Sequence, residues 1–262
     1  MCGRYVVVST IEVIEKKFNV VAPELPLGII PNYNLGPGAM APVITNDKSN
    51  QLQFFRFGMT PFWAKKRMYL FNARSEGDSN KENDPNYTGG KGISTKPSFR
   101  KPIRSQRCLV IADAFIEGST DGGLDKPFVV YLRNQRRPFS LAGIWDNWTN
   151  PESGETEHSF SIITTVTNSL LQKIPHHRSP VILREREEKK WLNAEHLTDI
   201  TSMLEPYPAE EMNAYPISPR IKNPRSNSRD LLDPVGERLE AEQDILVSTS
   251  LKLFGMGAQK RG

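Results

Sequence analysis

Cysteine is nearly missing from this chain: 262 residues hold two, Cys2 and Cys108. Two thiols this far apart make no disulfide framework, and no CxxC pair offers metal-ligand spacing. A reducing, cytoplasmic setting is the simplest reading. Long apolar runs are missing too. No stretch approaches the ~20 residues that a membrane-spanning helix requires. No basic region followed by a long apolar run marks a secretory signal at the N-terminus. Strong charge of either sign is also lacking, since Lys and Arg total 34 against 30 Asp and Glu. A net charge of +4 does not by itself indicate a polyanionic partner, so local clustering has to decide that. No internal repeat is visible, and strands do not alternate with helices in a βαβ rhythm.

What is present reads as runs of strands with helices interspersed. RYVVVS (4–9) is β-branched and extended. STIEVIEKKF then places Ile11, Ile14 and Phe18 on one helical face, with Ser9 and Glu12 spaced as a capping box. APVITN and QLQFFRFGM pair across NDKSN. RCLVIADAFIEG reads as one buried strand, and PFVVYLR, PFSLAGIWDNW and HSFSIITTV as further strands. TNSLLQKI is a helix capped by Thr167 or Asn168. REREEKKWL and HLTDITSML are amphipathic helices. AYPISPRI is a late strand, and ILVSTSLKLF a last short segment. Residues 77–98 have few apolar side chains and many turn formers, which predicts a long exposed loop. The fold class expected is α+β, a single domain with a mixed, mostly antiparallel, barrel-like sheet flanked by helices. The domain spans 2–235, and a C-terminal extension (236–262) packs on it.

Six features carry chemistry. Cys2 follows Met1 directly. Removal of Met1 would leave an α-amine and a thiol on adjacent carbons. These groups titrate near ~7.7–8.0 and ~8.5, so both are partly nucleophilic at neutral pH. Such a pair closes a five-membered ring on an aldehyde; the plain alternative is an incidental terminal cysteine. In FNARSEG, Asn72 and Arg74 fall at alternate positions and project to one side if extended. Glu117 ends an apolar run, where a carboxyl can serve as an acid. His176 and His177, two of four histidines, adjoin Arg178, an arrangement suited to moving protons beside a phosphate. Lys91, Lys96, Arg100, Lys101, Arg104 and Arg107 form one basic cluster. Arg56, Lys65, Lys66, Arg67 and Arg74 form another, interleaved with Phe54, Phe55, Phe57, Phe62 and Trp63. Cations with flat rings suit a single-stranded nucleic acid, although a solvated face over a buried strand reads the same way. Asp113 and Asp146 have no surroundings that favour a role. Cys108, inside an apolar run, reads as a packing residue.

Taken in order, MCGRY, YNLGPG, FGMTPFW, FNARSE, RCLVIADAFIEG, LAGIWDNW and HHRSPVIL resemble the SOS-response-associated peptidase family over roughly residues 2–235. Its members are also described as abasic-site-processing proteins that shield damaged single-stranded DNA. The resemblance implies that Met1 is removed and that the Cys2 amine attacks the ring-opened aldehyde of an abasic site. The thiol then closes a thiazolidine, leaving a DNA–protein crosslink, with possible lyase chemistry. Asn72 matches the asparagine that orients the terminal amine. Glu117 matches the proton-transfer carboxylate, and His176 the proton-transfer histidine. Arg74 and Arg178 match phosphate grips, and Arg4 joins them on the DNA-binding face. Pro37 and Trp63 match the wall where DNA bends and a base stacks. The partner implied is abasic single-stranded DNA, bound by a monomer without metal or small-molecule cofactor and without a membrane. Three departures stand out: Gly118 where the pattern has an aromatic residue, Ser179 where it has Met, and a 77–98 loop longer than the pattern needs. The alternatives are a cysteine peptidase or self-processing hydrolase acting through Cys2, and a non-catalytic single-stranded nucleic acid binding module.

Overall fold

The computed structural model describes residues 3–24 and 29–242. In chain order its strands are β1 (Arg4–Val7), β2 (Asn32–Leu35), β3 (Met40–Thr45), β4 (Gln53–Phe57), β5 (Asn72–Arg74), β6 (Arg107–Ala112), β7 (Ala114–Ser119), β8 (Gly123–Leu132), β9 (Phe139–Thr149), β10 (Thr156–Val166), β11 (Arg178–Pro180), β12 (Ile182–Leu183) and β13 (Met212–Pro216). The helices are short: α1 (Ile11–Phe18), α2 (Pro102–Ser105), α3 (Ser169–Gln172), α4 (Glu185–Asn193) and α5 (Leu197–Thr201). Cys2 and the ILVSTSLKLF segment lie outside the described residues.

Strands β10, β4, β3, β6 and β9 close into a ring, because β9 pairs with both β6 and β10. The β10–β4 contact is parallel and the other four are antiparallel. Closure removes the free edges that an open sheet exposes. Gly143 of β9 permits the close approach of β6. A Cβ there would stand 2.7 Å from Cys108 Sγ and 2.6 Å from Val110 Cγ2. Cys108 is fully buried, and burial pushes its thiol well up, as a packing residue requires.

A second sheet runs β13-β8-β7-β1-β2 and is antiparallel throughout. Alternation along β1 sends Tyr5 and Val7 into the core shared with the barrel. Val6 goes to the opposite face, where Ile217, Ile221, Leu231 and Leu232 cover it. After β13 the chain continues to pack on this sheet. Val235 N–H donates to Pro216 O, and Leu239 N–H to Ala214 O.

Three expectations need correction. RCLVIADAFIEG is two strands in two sheets, β6 and β7, divided at Asp113. The buried Asp113 carboxylate accepts from Val8 N–H (2.7 Å), Ser9 N–H (2.8 Å) and Ser9 Oγ–H (2.5 Å). Those bonds turn the chain out of β1 at the point where it leaves β6. Ser9 is therefore committed to Asp113, and the cap of α1 is Thr10, which accepts from Val13 N–H. Segment 77–98, in turn, is only partly exposed: Asn80 and Ile93 are buried within it.

Candidate functional site

The site lies where the two sheets meet. Strand β5 runs parallel to β10, with Asn72 opposite Ile162 and Arg74 opposite Thr164. Ala73 between them is buried in the core, so Asn72 and Arg74 both line a pocket of about 570 Å³. Across β10 lies β11, whose Arg178 pairs with Val166 and lines the same pocket. From the second sheet, β7 contributes Glu117 on the face opposite Ile116. His176 arrives on the turn before β11. The pocket thus gathers Arg4, Asn72, Arg74, Glu117, His176 and Arg178.

Strand β1 brings Gly3 here. It pairs antiparallel with β7, Arg4 opposite Ile116, so its first residues run toward the Glu117 end of β7. Gly3, the residue joined to Cys2 in the sequence, lines the pocket.

His176 is 7% exposed and Glu117 2%. Nδ1 of His176 lies 2.7 Å from Gly118 O, an atom that only accepts, so Nδ1 carries a hydrogen. Nε2 faces Glu117 Oε2 at 3.0 Å, within reach of a proton transfer. Burial lowers the His176 pKa, and the charge of Glu117 opposes that only in part. The arrangement can relay a proton, with its tautomer fixed by a backbone carbonyl.

Gly118 is glycine for a steric reason. A Cβ there would lie 1.7 Å from Gly123 O, because the β7–β8 hairpin folds tightly over it. The same hairpin holds the histidine turn: Thr120 N–H and Oγ–H both donate to Pro175 O at 2.9 Å. A side chain after Glu117 would require a differently shaped hairpin.

The two arginines are held from outside the predicted set. Arg178 Nη2 donates to Glu76 Oε2 (2.7 Å) and to Thr164 O (2.9 Å). Glu76 is fully buried. Burial raises its carboxyl, but the Arg178 hydrogen bond and charge outweigh that and leave it below the ordinary value. Nε and Nη1 of Arg178 are buried with no acceptor among the described residues, which suits an anion. Arg74 Nη2 donates to Asn80 O (2.5 Å) and Asn83 Oδ1 (2.9 Å), and burial lowers its pKa. Segment 77–98 is therefore a wall of the site, and Asn83 lines the pocket. Glu76, the last residue of FNARSE, and Asn83 were not singled out as site residues.

Other candidates lie apart. Pro37 lines a separate cleft that shares Arg4 with the main pocket. Trp63 and Phe62, 49% and 54% exposed, line a third hollow with Pro97, Arg100 and Lys101. Lys101 Nζ sits 4.7 Å over the Phe62 ring. Asp146 anchors this pair by accepting from Phe62 N–H (2.9 Å). The basic clusters are largely spent internally. Arg56 and Arg67 share Glu157 at 2.6 and 3.0 Å. Lys91 pairs with Glu205, and Lys96 with Asp78. Arg107 is buried and donates to the carbonyls of Trp191 and Ala194. Among the described residues, no three His, Cys, Asp or Glu side chains cluster closely enough to hold a metal ion.

Comparison with known proteins follows the same residues. A family model described as SOS response associated peptidase (SRAP) matches residues 1–224. The chain is 37% identical over 242 residues to abasic site processing protein YoqW of Bacillus subtilis (strain 168), covering 89% of this chain and 99% of that one. It is 26% identical over 264 residues to abasic site processing protein HMCES of Gallus gallus, covering 88% of this chain and 74% of that one. A crystal structure of a protein from Bacteroides thetaiotaomicron is 31% identical with a TM-score of 0.67, over 82% of this chain and 92% of that one.

Proposed function

We propose, from the premise that this chain belongs to the SOS response associated peptidase family, that it captures abasic sites in single-stranded DNA as a covalent thiazolidine on Cys2. With Met1 removed, the α-amine of Cys2 adds to the C1′ aldehyde of the ring-opened sugar. Loss of one water gives the Schiff base. The thiol then adds to the imine carbon, its proton passes to the nitrogen, and the five-membered ring closes. Two bonds form at C1′ and one water leaves.

The observation that carries this reading is Gly3. The residue bonded to Cys2 lines one pocket with a proton relay and two arginines. Dehydration of the aldehyde adduct needs a proton delivered to the departing oxygen. The Glu117–His176 contact can deliver it and take it back. Arg74 and Arg178 hold the phosphates on either side of the sugar. Asn72 orients the amine. A single strand is the fitting substrate, because a sugar without its base must leave the stack to enter the pocket.

A denaturing gel tests the proposal. Single-stranded DNA with one abasic site should give a slow band with the wild-type protein at neutral pH. That band should survive high salt and be absent with Cys2→Ser. Absence of the band for the wild type, after mass measurement confirms that Met1 is gone, would sink the reading. Cleavage of an unrelated peptide by the wild type but not by Cys2→Ser would support a peptidase instead.

A further inference from the structure

Residues 78–91 leave the fold and rejoin it at one point. Gly77 has a φ of +59°, and a Cβ there would stand 2.8 Å from Gly92 O. A Cβ on Gly92 would stand 2.6 Å from Glu76 O. Two glycines therefore let the ends of the segment touch, which makes it a closed loop of the compact Ω type.

The loop is tied from inside and outside. Asn80, 4% exposed, donates from Nδ2 to Asp84 O (3.0 Å) and accepts at Oδ1 from Asp84 N–H (2.9 Å). Lys91 Nζ donates to Leu204 O (3.0 Å) at the far end. A loop fixed in this way loses little entropy when a ligand arrives. Asn83 is the residue of this loop that lines the lesion pocket. Its φ of +57° is a left-handed conformation that asparagine, aspartate and glycine tolerate.

Asn83 meets Arg74 in a particular way. Its Oδ1 accepts from Arg74 Nη2 (2.9 Å). A guanidinium only donates, so the amide oxygen is the arm turned to Arg74 and Nδ2 is the other. The second acceptor of Arg74 Nη2 is also neutral, Asn80 O (2.5 Å). Arg178, by contrast, spends part of its charge on the Glu76 carboxylate. Nε of Arg74 is buried with no acceptor among the described residues. Neutral acceptors thus aim Arg74 without cancelling its charge. An aspartate at 83 would hold the guanidinium more strongly and neutralise it. An amide holds the cation and still offers donors to an anion beside it.

We propose that Asn83 is a phosphate ligand, its Nδ2 donating to the same lesion-flanking phosphate that Arg74 grips. The inference rests on the capture of abasic DNA proposed above. Its test uses single strands with a tetrahydrofuran spacer in place of the abasic site, so that fluorescence anisotropy reads affinity without covalent capture. Asn83→Gly removes the amide. Asn83→Asp keeps an acceptor for Arg74 and removes the donors. Both substitutions suit the left-handed backbone. Asn83→Gly should bind about tenfold more weakly than the wild type, the loss of one hydrogen bond to a charged group. Asn83→Asp should bind more weakly than Asn83→Gly. A neutral methylphosphonate then replaces one flanking phosphate, on each side of the spacer in turn. On one side it should weaken the wild type, and there it should no longer weaken Asn83→Asp, whose carboxylate is relieved of a like charge. An Asn83→Asp protein that binds as tightly as the wild type overturns the inference, because Asn83 would then only aim Arg74. So does an Asn83→Asp protein that the methylphosphonates weaken as much as they weaken the wild type. Capture of an ordinary abasic strand by the wild type is run alongside on a denaturing gel. Its absence overturns the proposed function, so the two failures are distinguishable.

Discussion

The imidazole of His176 is held between a carbonyl and a carboxylate, and those neighbours dictate where its protons are. Burial disfavours the imidazolium, so the pKa lies below the ordinary ~6.5. Neutral imidazole therefore persists as pH falls toward that value, and it is lost only below it. The terminal amine must also be unprotonated to attack, and it titrates higher, near ~7.7–8.0. Capture rate should thus fall in two steps as pH drops from 9 to 5. His176→Gln should remove the lower step, keep the upper one, and slow capture by about 10²-fold, with DNA affinity within about twofold. Stopped reactions resolved on denaturing gels across that range measure it. A variant that keeps both steps would show that His176 transfers no proton. At this scale much was legible. Asn72 and Arg74 stand on one side because strand alternation requires it. The partners that hold the arginines were not legible. Glu76 meets Arg178 across 102 residues, and Asn83 meets Arg74 from within a segment that looked like solvent-exposed loop. No local pattern encodes either contact. Nor does any encode the Gly118 carbonyl, since every residue has one.

At the scale of elements, the informative misreading is RCLVIADAFIEG. Its apolar character is unbroken apart from Asp113, because both halves are buried, and periodicity cannot find a break between two buried strands. The break is made by one carboxylate that satisfies three donors of the β1–α1 turn. It also sets where β1 lies on β7, and hence where Gly3 sits. Asp113→Ala should leave Val8 and Ser9 N–H groups buried without acceptors, at a cost on the order of 3 kcal/mol. Urea unfolding measures that loss. Capture should slow as well under conditions where the variant is still folded, since β1 loses its anchor at the end opposite Gly3. A stability loss with capture unchanged would show that the β1–β7 pairing alone positions the terminus. The barrel itself was legible as a class, from strands in runs without a βαβ rhythm. Its closure was not, because it depends on β9 using both edges, one against β6 and one against β10.

At the scale of the whole molecule, charge that looks like a DNA-binding surface in sequence is mostly an internal network. Neighbouring cations in a sequence say nothing about acids folded against them. Glu157 takes both Arg56 and Arg67, and Asp78 and Glu205 take Lys96 and Lys91. Lys101 is different: it lies over the Phe62 ring at the rim of the exposed aromatic hollow. A strand passing Trp63 would meet Lys101 and Arg100, which line the same hollow. Each phosphate contact to a single strand contributes about −0.7 to the slope of log affinity against log salt. Lys101→Ala should therefore lower affinity for undamaged single-stranded DNA and make that slope shallower by about 0.7. Arg67→Ala removes the same formal charge but only one of two partners of Glu157, so its slope should stay within error of the wild type. Fluorescence titrations between 50 and 300 mM salt separate the two. If Arg67→Ala changed the slope as much as Lys101→Ala, the bound strand would have to draw Arg67 away from Glu157, and the ion pairs of the free protein would be a poor guide to the path of the DNA.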